Sequence, residues 1–325
     1  MTQAIRIDRF GGPEVLSYRP VTVGEPGEGE ARIRHTAIGV NMVDTYYRTG
    51  LYPLSLPSGL GGEGAGVVVS VGPGVAGLEP GDRVAYTRPM QPFDGYSLER
   101  VMEARWLVRL PAEIDERQGA AMMLKGLTSW YLLTRSYAVN AGDWILLYAA
   151  AGGVGSIASQ WAASLGARVI GVVGSEAKRQ QALAHGCEAV LLATDDIVAR
   201  VRKLTGGRGL PVVYDSVGRA TFMQSLDCLR PHGVMVSFGN ASGPVQPVAP
   251  LELSKRGSLY LTRPTLIDFI REREDLEAGC AALFERVLSA KIRIEIGQDY
   301  PLARAADAHR DLEGRRTVGS SVLLP

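Results

Sequence analysis

Three stretches of the sequence hold residues whose types and spacing allow chemistry. "AAAGGVG" has small residues at Ala150, Gly152 and Gly155, an A-x-G-x-x-G spacing. Small residues let main-chain N–H groups come close to an anion, and a helix opening just after them directs its positive end at that anion. "NMVDTYYRTGLY" places Tyr46, Tyr47 and Tyr52 within seven residues, shortly after Asn41. Flat phenol rings suit a flat ligand, and a phenol can donate a hydrogen bond to a developing oxyanion. Of the three, Tyr47 reads as a packing residue. "GGEGAGVVVSVG" sets one carboxylate, Glu63, among glycines. A zinc site needs several clustered Cys, His or carboxylate ligands. The cysteines (Cys187, Cys228, Cys280) all lie beyond residue 186, and His35 is the one histidine before residue 185. No metal is expected, and Glu63 reads as a structural carboxylate that binds backbone N–H groups in a glycine-rich turn.

The elements around these residues fall into two textures. Residues 1–122 show short alternating runs such as "ARIRHTAIGV" between "GGPE", "GEPGEGE", "VGPG" and "EPGDRV". Short strands with Gly/Pro turns predict a barrel-like β unit. From about residue 123, apolar runs alternate with helical periods. Strands are expected at 144–150, 168–174, 188–193, 210–218, 233–240 and 257–264. Six such strands with intervening helices predict a doubly wound parallel α/β sheet of the Rossmann type over 123–290. The glycine loop then has the context that separates a dinucleotide site from an ordinary turn: it closes a strand, opens a helix and precedes a second strand. The β texture returns in "KIRIEIGQDYPL" and "GSSVLLP", so 291–325 is expected to complete the β-rich catalytic domain, leaving a cleft between the two.

The end of the second strand reads "VVGSEAKR". An NAD site places Asp or Glu there to bind the ribose. Here Gly174 and Ser175 stand at that point and Lys178 follows one turn later, so a 2′-phosphate is favoured and NADPH is the expected cofactor.

The totals set the broad class. The chain has 325 residues, 46% of them apolar, with 35 basic against 34 acidic side chains. That balance predicts neither nucleic-acid binding nor attraction to anionic lipid. No apolar stretch nears the roughly twenty residues of a membrane span. Scattered cysteines and a charged N-terminus fit a cytoplasmic protein.

The segments "GGPEVL", "GVNMVDTYYRTGLYP", "LPSGLGGEGAGVVVSVG", "GDRVAY", "LKGLTSWYLL", "AAAGGVG", "VYDSVG", "VSFGN" and "GSLYLTRP" together resemble the zinc-free quinone oxidoreductases. These belong to the medium-chain dehydrogenase/reductase superfamily and are related to the lens ζ-crystallins. In zinc-dependent relatives a ligand histidine precedes the glutamate, where this chain has Gly62. The resemblance runs end to end. It implies a GroES-like catalytic domain, NADPH in the cleft, a small-molecule quinone substrate and a homodimer.

It also implies roles for particular residues. Asn41, Met42 and Tyr46 would lie near the nicotinamide and Tyr52 in the substrate cleft, with Asn41, Tyr46 and Tyr52 the catalytic candidates. Lys125 and Thr128 would sit beside the cofactor. Ala151, Gly152, Gly153 and Val154 would bind the pyrophosphate, and Gly174, Ser175 and Lys178 the adenosine phosphate. Ser216, Phe238, Gly239, Asn240, Arg263 and Arg315 would line the same groove. Two departures stand out. Ala193 occupies the place of an aromatic residue after the third strand, and "TRPMQPFDGYS" (87–97) is slightly longer than in similar sequences.

Within this family two chemistries compete, reduction of quinones and reduction of the C=C bond of α,β-unsaturated aldehydes or ketones. A cofactor-holding structural protein is the reading from outside enzymology. The apolar strand "GSLYLTRP" would be an exposed edge unless paired with its copy across a two-fold axis, which places Leu259 and Leu261 at a dimer interface.

Overall fold

The apolar run Trp144–Tyr148 forms a strand (β1) whose residues after Trp144 are all buried, as a strand covered on both faces requires. The computed structural model describes residues 1–88 and 90–325, so one residue of the longer stretch 87–97 lies outside the described residues. They form two units. One comprises Met1–Leu127, Ile270–Leu288 and Ile294–Pro325, and the other Thr128–Phe269 and Ser289–Arg293.

In the second unit β1 is joined by β2 (Arg168–Val173), β3 (Cys187–Leu192), β4 (Leu210–Asp215), β5 (Leu229–Ser237) and β6 (Tyr260–Thr262). All pair in parallel, in the order β3-β2-β1-β4-β5-β6. This is the doubly wound order expected from the alternating texture, with its direction of winding reversing between β1 and β4. Helix α1 (Gly153–Ser164) follows β1 and α2 (Glu176–Ala184) follows β2. Leu146, Tyr148, Ile170, Val172, Leu191, Val213 and Met235 form the core of this unit.

Strand β6 is shorter than the run 257–264. Gly257 and Ser258 have φ of 98° and 55°, so the chain is still turning there. Leu259 is only 6% exposed and packs into the core with Leu229 and Met235. The expectation that it faces a partner is corrected by that burial. The side chains that β6 exposes are Tyr260 (62%) and Leu261 (41%).

In the first unit one sheet runs in the order Ile296–Pro301, Ser320–Leu324, Glu30–Val40, Glu63–Val71, Arg83–Thr87 and Val108–Arg109, with Glu99–Glu103 paired to Glu30–Val40. The C-terminal strand lies antiparallel to Glu30–Val40, with Ser321 opposite Val40 and Leu323 opposite Ile38. A smaller sheet joins Ser17–Val21, Thr2–Ile7 and Ser58–Gly59. Ile5, Ile7, Ile38, Val40, Leu60, Phe93, Tyr96, Leu302 and Leu323 share one core.

Helix Arg273–Leu288, which the sequence texture groups with the α/β run, sits in this first unit. Gly126 admits the Leu283 side chain, which would come within 2.4 Å of any Cβ at that position. Arg273 Nη1 donates to the carbonyls of Arg105 (2.7 Å) and Leu107 (2.9 Å).

Candidate active site

Asn41 caps the helix Met42–Arg48, and Asp44 in its first turn accepts a hydrogen bond from the Asn41 backbone N–H at 2.8 Å. The amide end of the Asn41 side chain turns the other way, and its Nδ2 donates to Glu63 Oε2 at 2.8 Å. Lys125 Nζ donates to the same oxygen at 3.1 Å, and the Leu124 N–H to Oε1 at 2.7 Å. Glu63 is fully buried, and Lys125 and Asn41 are nearly so. Gly39 makes the space: a Cβ there would fall 2.2 Å from Glu63 Oε2 and 2.4 Å from the Ala120 carbonyl. Glu63 is thus structural as expected, but it opens a strand and binds two side chains and one N–H, instead of the N–H groups of a turn. Lys125 lies within helix Glu116–Tyr131.

A second buried chain of hydrogen bonds fixes the other side of the Asn41 helix. Arg48 Nη1 can only donate, so His309 Nδ1 accepts from it (2.9 Å) and the ring proton sits on Nε2. Nε2 then donates to the Tyr96 hydroxyl (3.1 Å), which in turn donates to Asp44 Oδ2 (2.9 Å). Burial, aided by the Arg48 charge, holds the His309 pKa down at about 3, so the ring is neutral. Burial pushes the Asp44 carboxyl up to about 7, opposed by its bonds from the Asn41 N–H and Tyr96 and reinforced by the Glu63 charge. Arg48 also grips Glu313 through both guanidinium Nη atoms, at 3.0 and 2.6 Å.

The three tyrosines meet. Tyr52 stands edge-on to Tyr46 (centroids 5.3 Å, 65°) and to Tyr47 (5.6 Å, 78°), and its N–H donates to the Tyr46 carbonyl at 3.1 Å. Tyr47 is a packing residue as expected: it lies against the core between Tyr52 and Phe93, whose ring is 4.3 Å away.

In the α/β unit, β1 ends at Tyr148. Ala149 takes a left-handed conformation (φ 54°), and α1 starts at Gly153 behind the cap residue Gly152. A Cβ at Gly155 would lie 2.1 Å from the Ala149 carbonyl and 2.7 Å from Ala150 Cα, so only glycine permits this helix-to-strand approach. Ala151 is buried, while Gly152, Gly153 and Val154 are partly exposed on the loop. The loop therefore fits a diphosphate, since the first N–H groups of α1 have no partner within their helix.

At the end of β2, Gly174 and Ser175 are exposed, with open space where a Gly174 Cβ would stand. Glu176 turns to Arg179, with an Oε1–Nε separation of 2.7 Å, and Lys178 is half-exposed in the first turn of α2.

Ser216 follows β4, and Phe238, Gly239 and Asn240 follow β5. The Phe238 N–H donates to the Asp215 carbonyl (2.8 Å), and a Gly239 Cβ would lie 2.4 Å from the Ser216 carbonyl, so the two strand ends are brought together. Buried Asp215 shapes this turn by accepting from the N–H groups of Val217 and Gly218 and the hydroxyls of Thr221 and Ser225. Sequence reasoning missed this residue, although Asp in "VYDSVG" is the signal of an Asx-type turn. Thr128 is buried in helix Glu116–Tyr131 and Met42 is half-buried. Arg263 is exposed just after β6, and Arg315 is exposed with φ 58° beyond helix Ala305–Glu313.

Comparison with known proteins decides the family. Residues 27–111 match the family model "Alcohol dehydrogenase GroES-like domain" and residues 153–285 the model "Zinc-binding dehydrogenase". A quinone oxidoreductase of Pseudomonas aeruginosa is 51% identical, over 100% of both chains. This chain belongs to the quinone oxidoreductase family. A 2-haloacrylate reductase of a Burkholderia species is 43% identical, over 100% of this chain and 99% of its own. The crystal structure of Escherichia coli quinone oxidoreductase complexed with NADPH superposes with a TM-score of 0.97 at 46% identity, covering 99% of this chain and 100% of that one.

The second family model carries zinc in its description, yet the residues of this quinone oxidoreductase family member do not fit a zinc ion at Glu63. Both carboxylate oxygens are occupied by donors, one of them an ammonium group, and a side chain at Gly62 would meet the Arg88 carbonyl at 2.9 Å. No cluster of three His, Cys, Asp or Glu with metal-ligand geometry occurs among the described residues. His35 is buried between the Ser97 carbonyl (2.7 Å) and the Tyr86 hydroxyl (2.8 Å). The one histidine that the tail adds, His309, is spent on Arg48 and Tyr96.

Proposed function

We propose that the protein reduces quinones with hydride from NADPH and without metal. The observation that carries this reading is the cluster in which Tyr52 stands edge-on to Tyr46 and Tyr47, an aromatic group suited to a flat acceptor, on a chain of the quinone oxidoreductase family. When bound, NADPH supplies the hydride. Ala151–Val154 would hold its pyrophosphate, Gly174, Ser175 and Lys178 its 2′-phosphate, and Ser216, Phe238–Asn240, Arg263 and Arg315 the rest of the groove. Asn41, Met42, Lys125 and Thr128 would orient the nicotinamide. Glu63 positions two of these residues, because one buried oxygen receives both Asn41 Nδ2 and Lys125 Nζ.

The chemistry asks little else of the protein. An electron-poor quinone accepts hydride readily, and the resulting oxyanion takes its proton from water, helped by a hydrogen bond from the Tyr46 or Tyr52 hydroxyl. The work of the site is to hold donor and acceptor at close range.

The protein would act as a cytoplasmic homodimer paired through β6, with Tyr260 and Leu261 facing the copy. No helix among the described residues is long and apolar enough to cross a membrane, and Cys187, Cys228 and Cys280 are free and buried.

Steady-state rates with 1,4-benzoquinone and but-3-en-2-one test the reaction, with a large advantage expected for the quinone. The reverse advantage would establish C=C reduction, the reading favoured by the 2-haloacrylate reductase at 43% identity. Parallel titrations with NADPH and NADH, repeated on Lys178→Ala, test the cofactor. Weaker NADPH binding with unchanged NADH binding is expected, and unchanged NADPH binding would remove Lys178 from the phosphate site.

A further inference from the structure

The stretch Met90–Phe93 meets the tyrosine segment at two points, one on Tyr47 and one on the residue after Tyr52. The Phe93 ring packs on Tyr47 at 4.3 Å, and Gln91 Nε2 donates to the Pro53 carbonyl at 3.0 Å, one residue beyond Tyr52. The stretch is itself held from below by Arg88, 7% exposed, whose Nη1 donates to the carbonyls of Met90 (3.1 Å) and Pro92 (3.0 Å) while Nη2 reaches Glu103 (3.3 Å). Arg100, 3% exposed, approaches the same Pro92 carbonyl at 3.5 Å.

Two guanidinium groups buried near each other are costly; Glu103 offsets Arg88 and also binds Arg105 (2.6 Å), while Arg100 meets the Tyr86 hydroxyl at 3.4 Å. Burial lowers the Arg88 pKa and the Arg100 charge lowers it further, which marks the arrangement as one maintained against electrostatic repulsion. What they secure is the stretch Met90–Phe93. Gln91 and Pro92 are exposed, and Phe93 is driven into the core, at 3% exposure. A ring in that position fixes the rotamer of Tyr47, and Tyr47 fixes the outer edge of Tyr52.

We propose that this Arg88-clamped loop limits how far the acceptor site can open, with Phe93 and Gln91 as positioning residues that brace Tyr47 and the turn after Tyr52. The inference rests on the reading that Tyr46 and Tyr52 receive the quinone. Removing the Phe93 ring opens room behind Tyr47, which then swings back and admits a broader acceptor while gripping a narrow one less well.

The test compares tetramethyl-1,4-benzoquinone with 2-methyl-1,4-naphthoquinone on wild type, Phe93→Ala, Phe93→Leu and Gln91→Ala. For Phe93→Ala the KM for the one-ring quinone should rise about fivefold or more at little-changed kcat. Its kcat/KM ratio of two-ring to one-ring acceptor should rise by a similar factor, with the NADPH dissociation constant unchanged. Phe93→Leu should recover part of the shift. Gln91 is exposed, so Gln91→Ala leaves the core intact and should move the ratio the same way by about twofold. Changes confined to kcat or to NADPH binding, or an unmoved ratio in Gln91→Ala and whichever Phe93 variants fold, would overturn the proposal. A wild type that reduces neither quinone would instead defeat the acceptor reading beneath it.

Discussion

Replacing Glu63 by glutamine changes no volume and removes one charge, so its effect isolates the electrostatics of the buried cluster. Three donors converge on this carboxylate: Asn41 Nδ2, Lys125 Nζ and the Leu124 N–H. A carboxylate accepts at both oxygens, whereas an amide has one accepting and one donating end. Whichever way the new amide turned, its NH2 would face a donor, either the Leu124 N–H or the Asn41 and Lys125 pair. At least one charge-assisted bond of about 1.5–3 kcal/mol is lost, and Lys125 loses its buried counter-charge. Removing one partner of a buried pair costs about 3–5 kcal/mol, and that figure already contains most of the hydrogen-bond loss. A destabilisation of about 3 kcal/mol is expected for Glu63→Gln, the lower end of that range.

Urea unfolding without cofactor, followed by far-UV circular dichroism, reads the midpoint of the transition. The decisive arm is the double variant with Lys125→Met, which removes the cation as well. It should recover more than half of the loss, because no uncompensated charge then remains buried. A single-variant cost below about 1 kcal/mol, or a double variant whose cost is the sum of the two singles, would refute the account of Glu63 as an electrostatic anchor.

Other outcomes follow from the same structure. Gly155→Ala should weaken NADPH at least tenfold in a binding titration, because its Cβ would stand 2.1 Å from the Ala149 carbonyl and must displace α1 from β1. Between pH 6.5 and about 4, unfolding lets His35 and His309 take up two protons, since burial holds both near 3 in the folded protein, while Asp44, held near 7, releases one. The net uptake of one proton makes stability fall as pH falls, by about 1.4 kcal/mol per unit, and Asp44→Asn should roughly double that slope in urea midpoints taken across the range. The double variant Tyr260→Lys and Leu261→Lys should sediment as a monomer at micromolar concentration where the wild type sediments as a dimer. A wild type that is already monomeric refutes pairing through β6.

Much of the α/β unit was legible along the chain. Apolar runs alternating with helical periods located β1–β6, β6 as a shorter strand than its run. The A-x-G-x-x-G spacing located the turn in which Gly155 meets Ala149, because such signals are carried by residues close in sequence. The tyrosine cluster was legible for the same reason, since Tyr46, Tyr47 and Tyr52 share one helix and the turn after it. The partners of Glu63 were not legible. They lie 22 and 62 residues away, and no local pattern distinguishes a carboxylate that binds backbone N–H groups from one that receives Asn41 and Lys125.

The same limit hid His309, which the C-terminal helix delivers to Arg48 across 261 residues. It also hid Phe93, whose meeting with Tyr47 needs strand Arg83–Thr87 to carry its loop back beside the first helix. Leu259 was misplaced because the chain is still turning at Gly257 and Ser258 and the strand begins only at Tyr260, which an apolar run does not reveal. By itself the sequence determined the elements, the phosphate-binding turn and the aromatic residues, through propensity and spacing that act over a few residues. Tertiary structure alone decided which charges were buried together and which ring braced which, because burial and ion pairing depend on segments that meet only when the chain has folded.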